Sequence, residues 1–385
     1  MKNWQYMIIS GSPPSPLLQS INDLMHEEPF SIIASGVIWF LILMCAPFVA
    51  FLLLFWTLFR LVLYLIGYST KEVNTSVQDL SVIITGCDSG FGFDIALSCH
   101  AKGYHVFCCC LKEESLRMFE GMERIIPLVV DVSKDEDISK LKAVAMSWLS
   151  AKVESKDRYL HAIVNNAGIG NFGLVDWIGL EDYSKNMEVN CMGQIRIVKA
   201  FISFLKDQYA SSEKSYQDAR IVNMTSSAGL VAIMPGASPY HASKFAAEGF
   251  SNALRFELRD FGIKVITLNP SFHDTPLTNG MVEQVRRQFD GAETSTKERY
   301  GIEYLDQNIM PLLKCSKSVL WRRKNVLRDL SRSVDLVNPS TRYITGMDAK
   351  FCYPLLRMFP DFVQEFFIPR FLHPPKFFAR KEKGE

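Results

Sequence analysis

A tyrosine and a lysine four residues apart, Tyr240 and Lys244, have the types and spacing that proton transfer requires. Residues at this separation lie one turn apart on the same face of a helix. The local sequence favours a helix, because Ser238 can cap it and Pro239 suits its first turn. A nearby ammonium stabilises a phenolate and lowers the phenol pKa from about 10, so the pair could shuttle a proton near pH 7. The alternative is a tyrosine and a lysine without a catalytic role on a half-exposed helix, because such a pair would show the same spacing.

A glycine-rich loop between a predicted strand and a predicted helix is the second candidate for chemistry. Residues 80–84 form a short apolar, β-rich run, and the loop follows it directly. Glycines at such a place allow a tight turn, close approach of the backbone to a pyrophosphate, and packing of the helix on the sheet. The helix N-terminus adds its N–H groups and its dipole. The candidate cofactor-binding residues of this TGxxxGxG loop are Thr85, Gly86, Ser89, Gly90, Phe91 and Gly92.

The end of the second predicted strand leaves the choice between NAD and NADP open. That strand covers residues 106–110 and ends in Cys110, with Leu111 and Lys112 after it. A carboxylate there would bind the 2′-hydroxyl of the adenosine ribose and select NAD, whereas a cation would favour the 2′-phosphate of NADP. Cys110 and Leu111 are neutral, and Lys112 is equally typical of a solvated loop.

Two further strand ends could line the same dinucleotide. The third strand, residues 125–130, leads into Asp131 and Val132, where the carboxylate could bind the adenine amine, although a turn residue at a strand end would look the same. The fourth strand, residues 160–164, leads into small and amide residues that could lie along the cofactor. The candidates there are Asn165, Ala167 and Gly168. Strands that alternate with helices at this spacing predict an α/β fold with a doubly wound parallel sheet in one Rossmann-type domain.

Two hydroxyl side chains at the end of the fifth strand could act beside the tyrosine. Residues 221–224 form that strand, and Ser226 and Ser227 follow it, 14 and 13 residues before Tyr240. Ligands of such sheets bind at the carboxyl ends of the strands. Either hydroxyl could therefore polarise a substrate oxygen next to the phenol.

The last predicted strand and one helix add three candidates. Residues 263–268 lead into a loop that contains Pro270 and Thr275 and could close over a nicotinamide. Asn190 lies in the interior of a predicted helix, where asparagine is mildly unfavourable. By itself this asparagine indicates no function.

The composition argues against several other classes of protein. The 385 residues carry 42 basic and 41 acidic side chains, and no basic stripe with interleaved aromatics indicates a nucleic-acid partner. The nine cysteines contain no CxxC pair, and three of them are consecutive in an apolar run. This pattern predicts free thiols in a reducing compartment, and neither a disulfide framework nor a metal site.

An uncharged segment near the N-terminus predicts a membrane anchor, with a buried core helix as the alternative. Ser31–Phe59 contains 29 residues without a charge, and a membrane span needs about 20. Pro47 could kink one helix or turn a shallow hairpin. Arg60 and Lys71 follow the segment, so the positive-inside rule places the rest of the chain in the cytosol. The tail Lys381–Glu385 resembles the cytosolic retrieval signal of endoplasmic reticulum membrane proteins, although a solvated basic tail would look alike.

In this combination the motifs resemble the short-chain dehydrogenase/reductase family. They occur in the family's order over residues 80–375. The sequence TGCDSGFG and residues 339–350 further resemble the membrane-bound branch that oxidises retinols and hydroxysteroids. The matching segments are TGxxxGxG at 85–92, NNAG at 165–168, VNxxG at 189–193, two serines before YxxxK at 240–244, and the later P-x4-T loop.

The resemblance implies a role for each catalytic candidate. Tyr240 would be the acid/base, and Lys244 would lower its pKa and bind the nicotinamide ribose. Asn190 would hold a water that extends the proton relay. The family register favours Ser226 as the serine, whereas the commoner 13-residue spacing favours Ser227.

The resemblance also divides the chain into segments. A substrate lid would occupy about 276–330, and Thr275 before it would hold the nicotinamide carboxamide. Prolines after residue 351 forbid one long helix, so short aromatic pieces there suit a membrane interface or a tail packed on the core. The predicted segments are an N-terminal tail at 1–30, an anchor at 31–68, a dehydrogenase domain at 78–338 and a membrane-associated extension at 339–385.

The sequence thus predicts a dehydrogenase of the endoplasmic reticulum membrane that oxidises a retinol or the 3- or 17-hydroxyl of a steroid. Its cofactor would be NAD, with NADP as the second choice. Its partners would be a lipophilic small molecule, the membrane and, in a homodimer, a second copy of the chain. One alternative is an NADPH-dependent ketone or aldehyde reductase in which Lys112 binds the 2′-phosphate. Others are a non-catalytic NAD-binding scaffold or redox sensor and a structural membrane protein.

Overall fold

The computed structural model describes residues 46–47, 50–51, 53–62, 77–151, 158–210, 216, 218–232, 234–311 and 320–353. The chain divides into two units, residues 1–70 and 71–385. In the first unit, residues 53–62 are helical. No helix among the described residues is both long enough and apolar enough to cross a membrane. Most of the predicted anchor at 31–68, and the predicted extension from residue 354 onward, lie outside the described residues.

The second unit is built on one seven-stranded sheet in which all neighbouring strands are parallel. The strand order is β3-β2-β1-β4-β5-β6-β7. The order reverses between β1 and β4, and this is where parallel sheets bind ligands beyond the carboxyl ends of their strands. The predicted Rossmann-type parallel sheet is therefore confirmed. The strands are β1 Leu80–Thr85, β2 His105–Cys110, β3 Ile125–Val129, β4 Tyr159–Asn165, β5 Arg220–Met224, β6 Lys264–Pro270 and β7 Arg342–Thr345.

Helices connect the strands. A parallel strand pair needs a crossover connection, and these crossovers cover the sheet with helices. Among the described residues the helices are α1 Gly90–Ala101, α2 Asp135–Ser150, α3 Leu180–Met187, α4 Gly193–Ala210, α5 Ser238–Glu257, α6 Pro276–Asn279, α7 Met281–Gly291, α8 Thr294–Tyr304 and α9 Lys324–Asp335. A π-helical turn, Glu188–Met192, joins α3 to α4.

The core lies on the strands. Every residue of β1 and every residue of β5 is buried, as expected for strands covered on both faces. Cys108, Cys109 and Cys110 on β2 are buried free thiols. Burial holds the pKa of the Cys109 and Cys110 thiols above the ordinary value, so both are poor nucleophiles. The predicted free thiols are confirmed for these three cysteines.

The last strand ties the C-terminal part of the chain to the site. β7 pairs with β6, with Leu268 opposite Tyr343 and Pro270 opposite Thr345. The N–H of Ser271, just past β6, also donates to Thr345 O at 2.8 Å. The sheet therefore extends beyond residue 338, where the sequence prediction ended the dehydrogenase domain.

Candidate active site

A polar cleft of about 560 Å³ opens at the carboxyl ends of β1, β4, β5 and β6. It lies at the reversal of strand order, where a parallel sheet leaves room for a ligand. The sequence candidates that line it are Gly86, Ser89, Gly90, Phe91, Ala167, Gly168, Ser226, Tyr240, Lys244, Pro270 and Thr275. The fold thus brings together candidates that are up to 189 positions apart in the chain.

The glycine loop has the shape that a diphosphate requires. Gly86 and Gly90 have φ angles of +71° and +62°, which L side chains rarely adopt. A Cβ on Gly92 would lie 2.1 Å from Gly86 O, so a side chain there would push the helix off the loop. α1 begins at Gly90 with no side-chain cap from Ser89, which leaves its first N–H groups available to an anion. These features fit the pyrophosphate of a dinucleotide.

Two of the predicted cofactor-binding residues support the cleft from behind. Thr85 is 1% exposed, and its hydroxyl accepts from the N–H groups of Asn166 and Ala167, both at 3.0 Å. The Asn165 side chain donates to Asn223 Oδ1 at 2.8 Å, within the sheet. Both residues position the loop after β4, and neither lines the cleft.

The candidates on the adenosine side also lie outside the cleft. Cys110 is buried in the sheet, and the Leu111 side chain is exposed. The Asp131 carboxylate accepts from the N–H of Ser133 at 2.9 Å, as in a turn at a strand end. Val132 packs against the first residue of α4. Their predicted contacts with adenine and ribose remain predictions.

Tyr240 and Lys244 lie on α5, as the spacing predicted. Lys244 is 3% exposed, and its Nζ donates to Met224 O at 3.2 Å and lies 5.6 Å from the centroid of the Tyr240 ring. Burial lowers the pKa of the Lys244 ammonium to about 8. Cys191 and Glu248 act in the opposite direction and raise that pKa, but burial has the larger effect. The lysine charge is thus held at the end of β5, next to the phenol.

The start of α5 differs from the prediction. Pro239 lies in the first turn as expected, but Ala237 occupies the capping position and the first residue of the helix is Ser238. The hydroxyl of Ser238 instead lies 2.5 Å from the hydroxyl of Tyr183 on α3. The predicted cap was wrong because a tertiary contact takes up that hydroxyl.

Ser226 is the serine whose hydroxyl contacts Tyr240. Burial raises the pKa of the Tyr240 phenol, and a hydrogen bond with the Ser226 side chain opposes that rise. Ser226 Oγ also accepts from the N–H of Ala228 at 3.1 Å, which fixes its position at the end of β5. The sequence predicted that Lys244 lowers the phenol pKa. In the structure the effect of burial is larger, and the phenol pKa is raised instead. The contact supports Ser226 over Ser227.

Asn190 lies in the π-helical turn before α4. Its Nδ2 donates to Ile169 O and to Ser243 Oγ, both at 2.9 Å, and its Oδ1 accepts from the N–H of Ile169 at 2.8 Å. The asparagine thereby joins the loop after β4 to α5 behind Lys244. Turns of this kind are frequent at functional sites. The water that the resemblance assigns to Asn190 remains a prediction.

One acidic residue of the glycine loop was missed by the sequence reasoning. The Asp88 carboxylate accepts from the N–H groups of Leu111 at 2.8 Å and Lys112 at 3.0 Å and from the Ser115 hydroxyl at 2.8 Å. Asp88 also lines the cleft. It therefore places a negative charge at the end of β2, where the sequence has no acid. The sequence did contain a signal for this role. An aspartate lies inside the glycine loop, and the end of β2 has no acidic residue of its own.

An apolar cavity of about 210 Å³ adjoins the cleft. Tyr240 and Ser226 line both spaces, so the phenol and the serine hydroxyl lie at their junction. Part of the wall comes from the region predicted as a lid, through Leu277 and Met281. Other apolar lining residues are Phe172, Ala228, Val231, Met234, Pro235, Phe272 and Tyr353.

The comparisons with known proteins agree with this arrangement. Residues 81–286 match the short chain dehydrogenase family. Human 17-beta-hydroxysteroid dehydrogenase type 6 is 33% identical over 313 residues, which are 79% of this chain and 92% of that protein. Mouse retinol dehydrogenase 7 is 30% identical over 312 residues, which are 80% of this chain and 92% of that protein.

A solved structure shows the same fold. A short-chain dehydrogenase/reductase from Burkholderia phymatum in complex with NAD matches 73% of this chain and 94% of its own, with a TM-score of 0.59 and 21% identity. The family match covers more than half of the chain, and the 33% identity extends over most of it. The chain therefore belongs to the short-chain dehydrogenase family, in the branch of the hydroxysteroid and retinol dehydrogenases, and is an NAD(P)-dependent oxidoreductase.

Proposed function

We propose that this protein oxidises a lipophilic alcohol, a hydroxysteroid at its 3- or 17-position or a retinol, with NAD as the hydride acceptor. One observation carries the proposal: Tyr240 and Ser226 lie where the polar cleft meets the apolar cavity. A dinucleotide fits the first space, and an apolar molecule fits the second. The substrate classes are those named for the similar human and mouse proteins.

The residues at the junction can carry out the proton chemistry. With the alcohol in the apolar cavity, Ser226 Oγ would orient its oxygen, and the Tyr240 oxygen would accept its proton once the positive charges of Lys244 and of a bound oxidised nicotinamide offset the effect of burial on the phenol pKa. A bound NAD would supply the hydride acceptor, so that oxidation of the alcohol would give a ketone or aldehyde, NADH and one proton. Lys244 would stabilise the phenolate and bind the nicotinamide ribose. Asn190 would hold a water, and that water would extend the proton relay from Lys244 toward solvent.

Asp88 favours NAD over NADP in this proposal. Its carboxylate is held beside the end of β2 by the N–H groups of Leu111 and Lys112. This is where the 2′-position of the adenosine ribose lies in such folds. A fixed negative charge there repels a 2′-phosphate and can accept a hydrogen bond from a 2′-hydroxyl. The alternative of an NADPH-dependent reductase would instead rely on Lys112, whose side chain is largely exposed.

Asp88→Asn is expected to reduce the preference for NADH over NADPH at least about tenfold, equal to about 1.4 kcal/mol. Asparagine keeps one oxygen for the loop N–H groups and removes the charge. Fluorescence titration of both reduced cofactors gives the ratio of dissociation constants without turnover. Glu114→Gln is the control, because Glu114 also lies near Lys112, at 3.8 Å, but is exposed. An unchanged ratio in Asp88→Asn would show that another group sets the preference.

Membrane attachment and self-association are further parts of the proposal. The uncharged segment at 31–59 supports an endoplasmic reticulum anchor, spanning or hairpin, with the catalytic unit in the cytosol. Met347 and Phe351 expose apolar side chains just before Tyr353, which lines the apolar cavity. The extension from 339 could therefore bring that cavity to the membrane. A homodimer could form on α5, where exposed Phe245 and Phe256 lie three turns apart.

The test of the proposed function is NADH formation by the full-length protein in membranes. A 3-hydroxysteroid, a 17-hydroxysteroid and all-trans retinol are supplied in turn with NAD, and each is repeated with NADP. Turnover of at least one alcohol, faster with NAD, is the expected result. Reduction of the matching ketones with NADPH alone would favour the reductase alternative. NADH binding without turnover of any alcohol or ketone would favour a non-catalytic scaffold.

A further inference from the structure

The loop that follows β6 borders both spaces of the site. Ser271 lines the polar cleft and the apolar cavity, and His273 and Thr275 line the cleft. The N–H of Ser271 still donates to Thr345 O of β7, at 2.8 Å. Beyond this residue the loop has left the sheet, so contacts outside the sheet must hold it in place.

A residue near the end of the region predicted as a lid pairs with this loop. The N–H of Trp321 donates to Phe272 O at 2.9 Å, and the N–H of Asp274 donates to Trp321 O at 3.2 Å. His273 and Trp321 thus form an isolated parallel bridge. Trp321 belongs to none of the strands β1 to β7, so its own position decides where the loop lies.

The Asp348 carboxylate joins Trp321 to the start of the loop. Its Oδ1 accepts from Trp321 Nε1 at 2.9 Å, and its Oδ2 accepts from the hydroxyl of Ser271. Hydrogen bonds to an ionised acceptor are stronger than those between neutral groups. Asp348 is the first residue of a π-helical turn, Asp348–Cys352, which follows β7. The group that fixes the loop therefore comes from beyond residue 338.

Gly346 lets these three side chains converge. Its φ angle of +116° is one that L side chains rarely adopt. A Cβ there would lie 2.6 Å from Asp348 Oδ1, 2.8 Å from Ser271 Cβ and 3.3 Å from Trp321 Cδ1. Any other residue would push the three side chains apart. The loop after β6 and the turn after β7 are therefore packed as one unit.

We propose that Asp348 is a positioning residue that holds the loop 271–275 against the nicotinamide end of the bound cofactor. This inference rests on the proposed function and on the expectation that this loop closes over the nicotinamide. Asp348 is not among the described residues that line the cleft or the apolar cavity, so it acts through Ser271 and Trp321. Such support matters because a misplacement of about 1 Å can cost about 10²-fold in rate.

The test compares two ligands that differ in the nicotinamide, NADH and ADP-ribose. Asp348→Ala leaves the indole N–H of Trp321 and the hydroxyl of Ser271 without their acceptor. We expect this variant to bind NADH about tenfold more weakly or worse, and ADP-ribose with less than about a twofold change, because the loop is no longer held in its bound position. Calorimetric titration of the full-length protein in detergent measures both. Equal weakening of the two ligands, or unchanged NADH binding, would overturn the inference.

Two further variants assign the effect to the hydrogen bonds. Asp348→Asn keeps an oxygen for Trp321 and gains an N–H that can donate to the Ser271 oxygen, so most of the NADH affinity should return. A loss as large as that of Asp348→Ala would contradict the inference. Trp321→Phe removes the indole N–H while Asp348 stays in place. It should weaken NADH binding in the same direction, and this holds as a test even where Asp348→Ala folds poorly.

The matched control is Asp218→Ala, at the opposite end of β6. Asp218 Oδ1 lies 2.7 Å from Nζ of Lys264, the first residue of that strand. Loss of this pair should lower the unfolding temperature and leave the NADH affinity unchanged. Selective weakening of NADH binding in Asp218→Ala, equal to that in Asp348→Ala, would mean that the stability of β6 and not the hold on the loop sets the affinity, and the inference would be wrong.

The two proposals fail in different ways, because NADH binding requires no alcohol. Selective loss of NADH affinity in Asp348→Ala, in a protein that oxidises no alcohol, would contradict the proposed oxidation and support the role of Asp348. Alcohol oxidation by the wild type with unchanged NADH affinity in Asp348→Ala would support the oxidation and contradict the role of Asp348.

Discussion

Replacing Tyr240 by phenylalanine is expected to lower kcat for alcohol oxidation by about 10²–10⁴-fold, the usual contribution of a positioned acid/base. The substitution removes only the phenol oxygen that would take the alcohol proton. The ring itself packs 5.5 Å from the Phe172 ring, and phenylalanine keeps that contact. Folding and NADH binding should therefore be retained while the chemical step is lost. Single-turnover measurements with NADH titration on the same samples separate the two effects.

The matched control is Tyr183→Phe. Tyr183 loses a hydroxyl that lies 2.5 Å from the hydroxyl of Ser238 at the start of α5, but it lines neither cavity. It should leave kcat within the same order of magnitude. Normal turnover by Tyr240→Phe would mean that another group takes the proton. An equal loss in both variants would mean that the start of α5, and not the phenol, controls the rate.

Replacing Arg342 by methionine is expected to destabilise the protein by about 3 kcal/mol, near the low end for breaking a buried ion pair. Arg342 Nη2 lies 2.7 Å from Glu248 Oε2, and Arg342 Nη1 donates to Asn269 Oδ1 at 2.7 Å. The Glu248 side chain is 6% exposed, against 28% for Arg342. Methionine would leave the glutamate charge buried without its cation, and this accounts for most of the loss. Urea unfolding of the full-length protein in detergent measures the change.

The same substitution should also impair catalysis, because Glu248 supports the site. Its Oε1 accepts from the Thr225 hydroxyl at 2.6 Å, and Thr225 is the neighbour of Ser226 in the chain. Glu248 also lies one turn after Lys244 on α5. Arg342 thus reaches the neighbourhood of Ser226 and Lys244 through one carboxylate. We expect kcat of Arg342→Met to fall at temperatures where the variant is still folded.

Two further variants test this explanation. Adding Glu248→Gln to Arg342→Met should recover part of the stability, because the uncompensated charge is removed. Arg286→Met breaks an exposed pair with Asp306 and should cost less than about 1 kcal/mol. A loss in Arg342→Met no larger than in Arg286→Met would contradict the importance of the buried pair. No recovery in the double variant would indicate that packing, and not charge, is the cause.

The sequence by itself determined the features that depend on neighbouring residues in the chain. The period of a helix places Tyr240 and Lys244 on one face wherever that helix lies. The strand–loop–helix order around Gly86 and Gly90 likewise predicted the dinucleotide loop, because positive φ angles and close backbone approach require glycine. Alternation of strands and helices predicted the parallel sheet through the short connections that such units allow.

Only the tertiary structure decided what depends on contacts between distant elements. Asp88 reaches the end of β2 because β1 and β2 pair with Thr85 opposite Cys109, a register that no local pattern specifies. The phenol pKa follows burial by the surrounding elements, which outweighs what the spacing of Tyr240 and Lys244 suggested. The ring orientation of His241 is set by Ala228 O, thirteen residues earlier in the chain, which lies 2.8 Å from Nδ1. Spacing fixes geometry within one helix or strand, whereas the path of the loops and the pairing of strands decide which side chains meet.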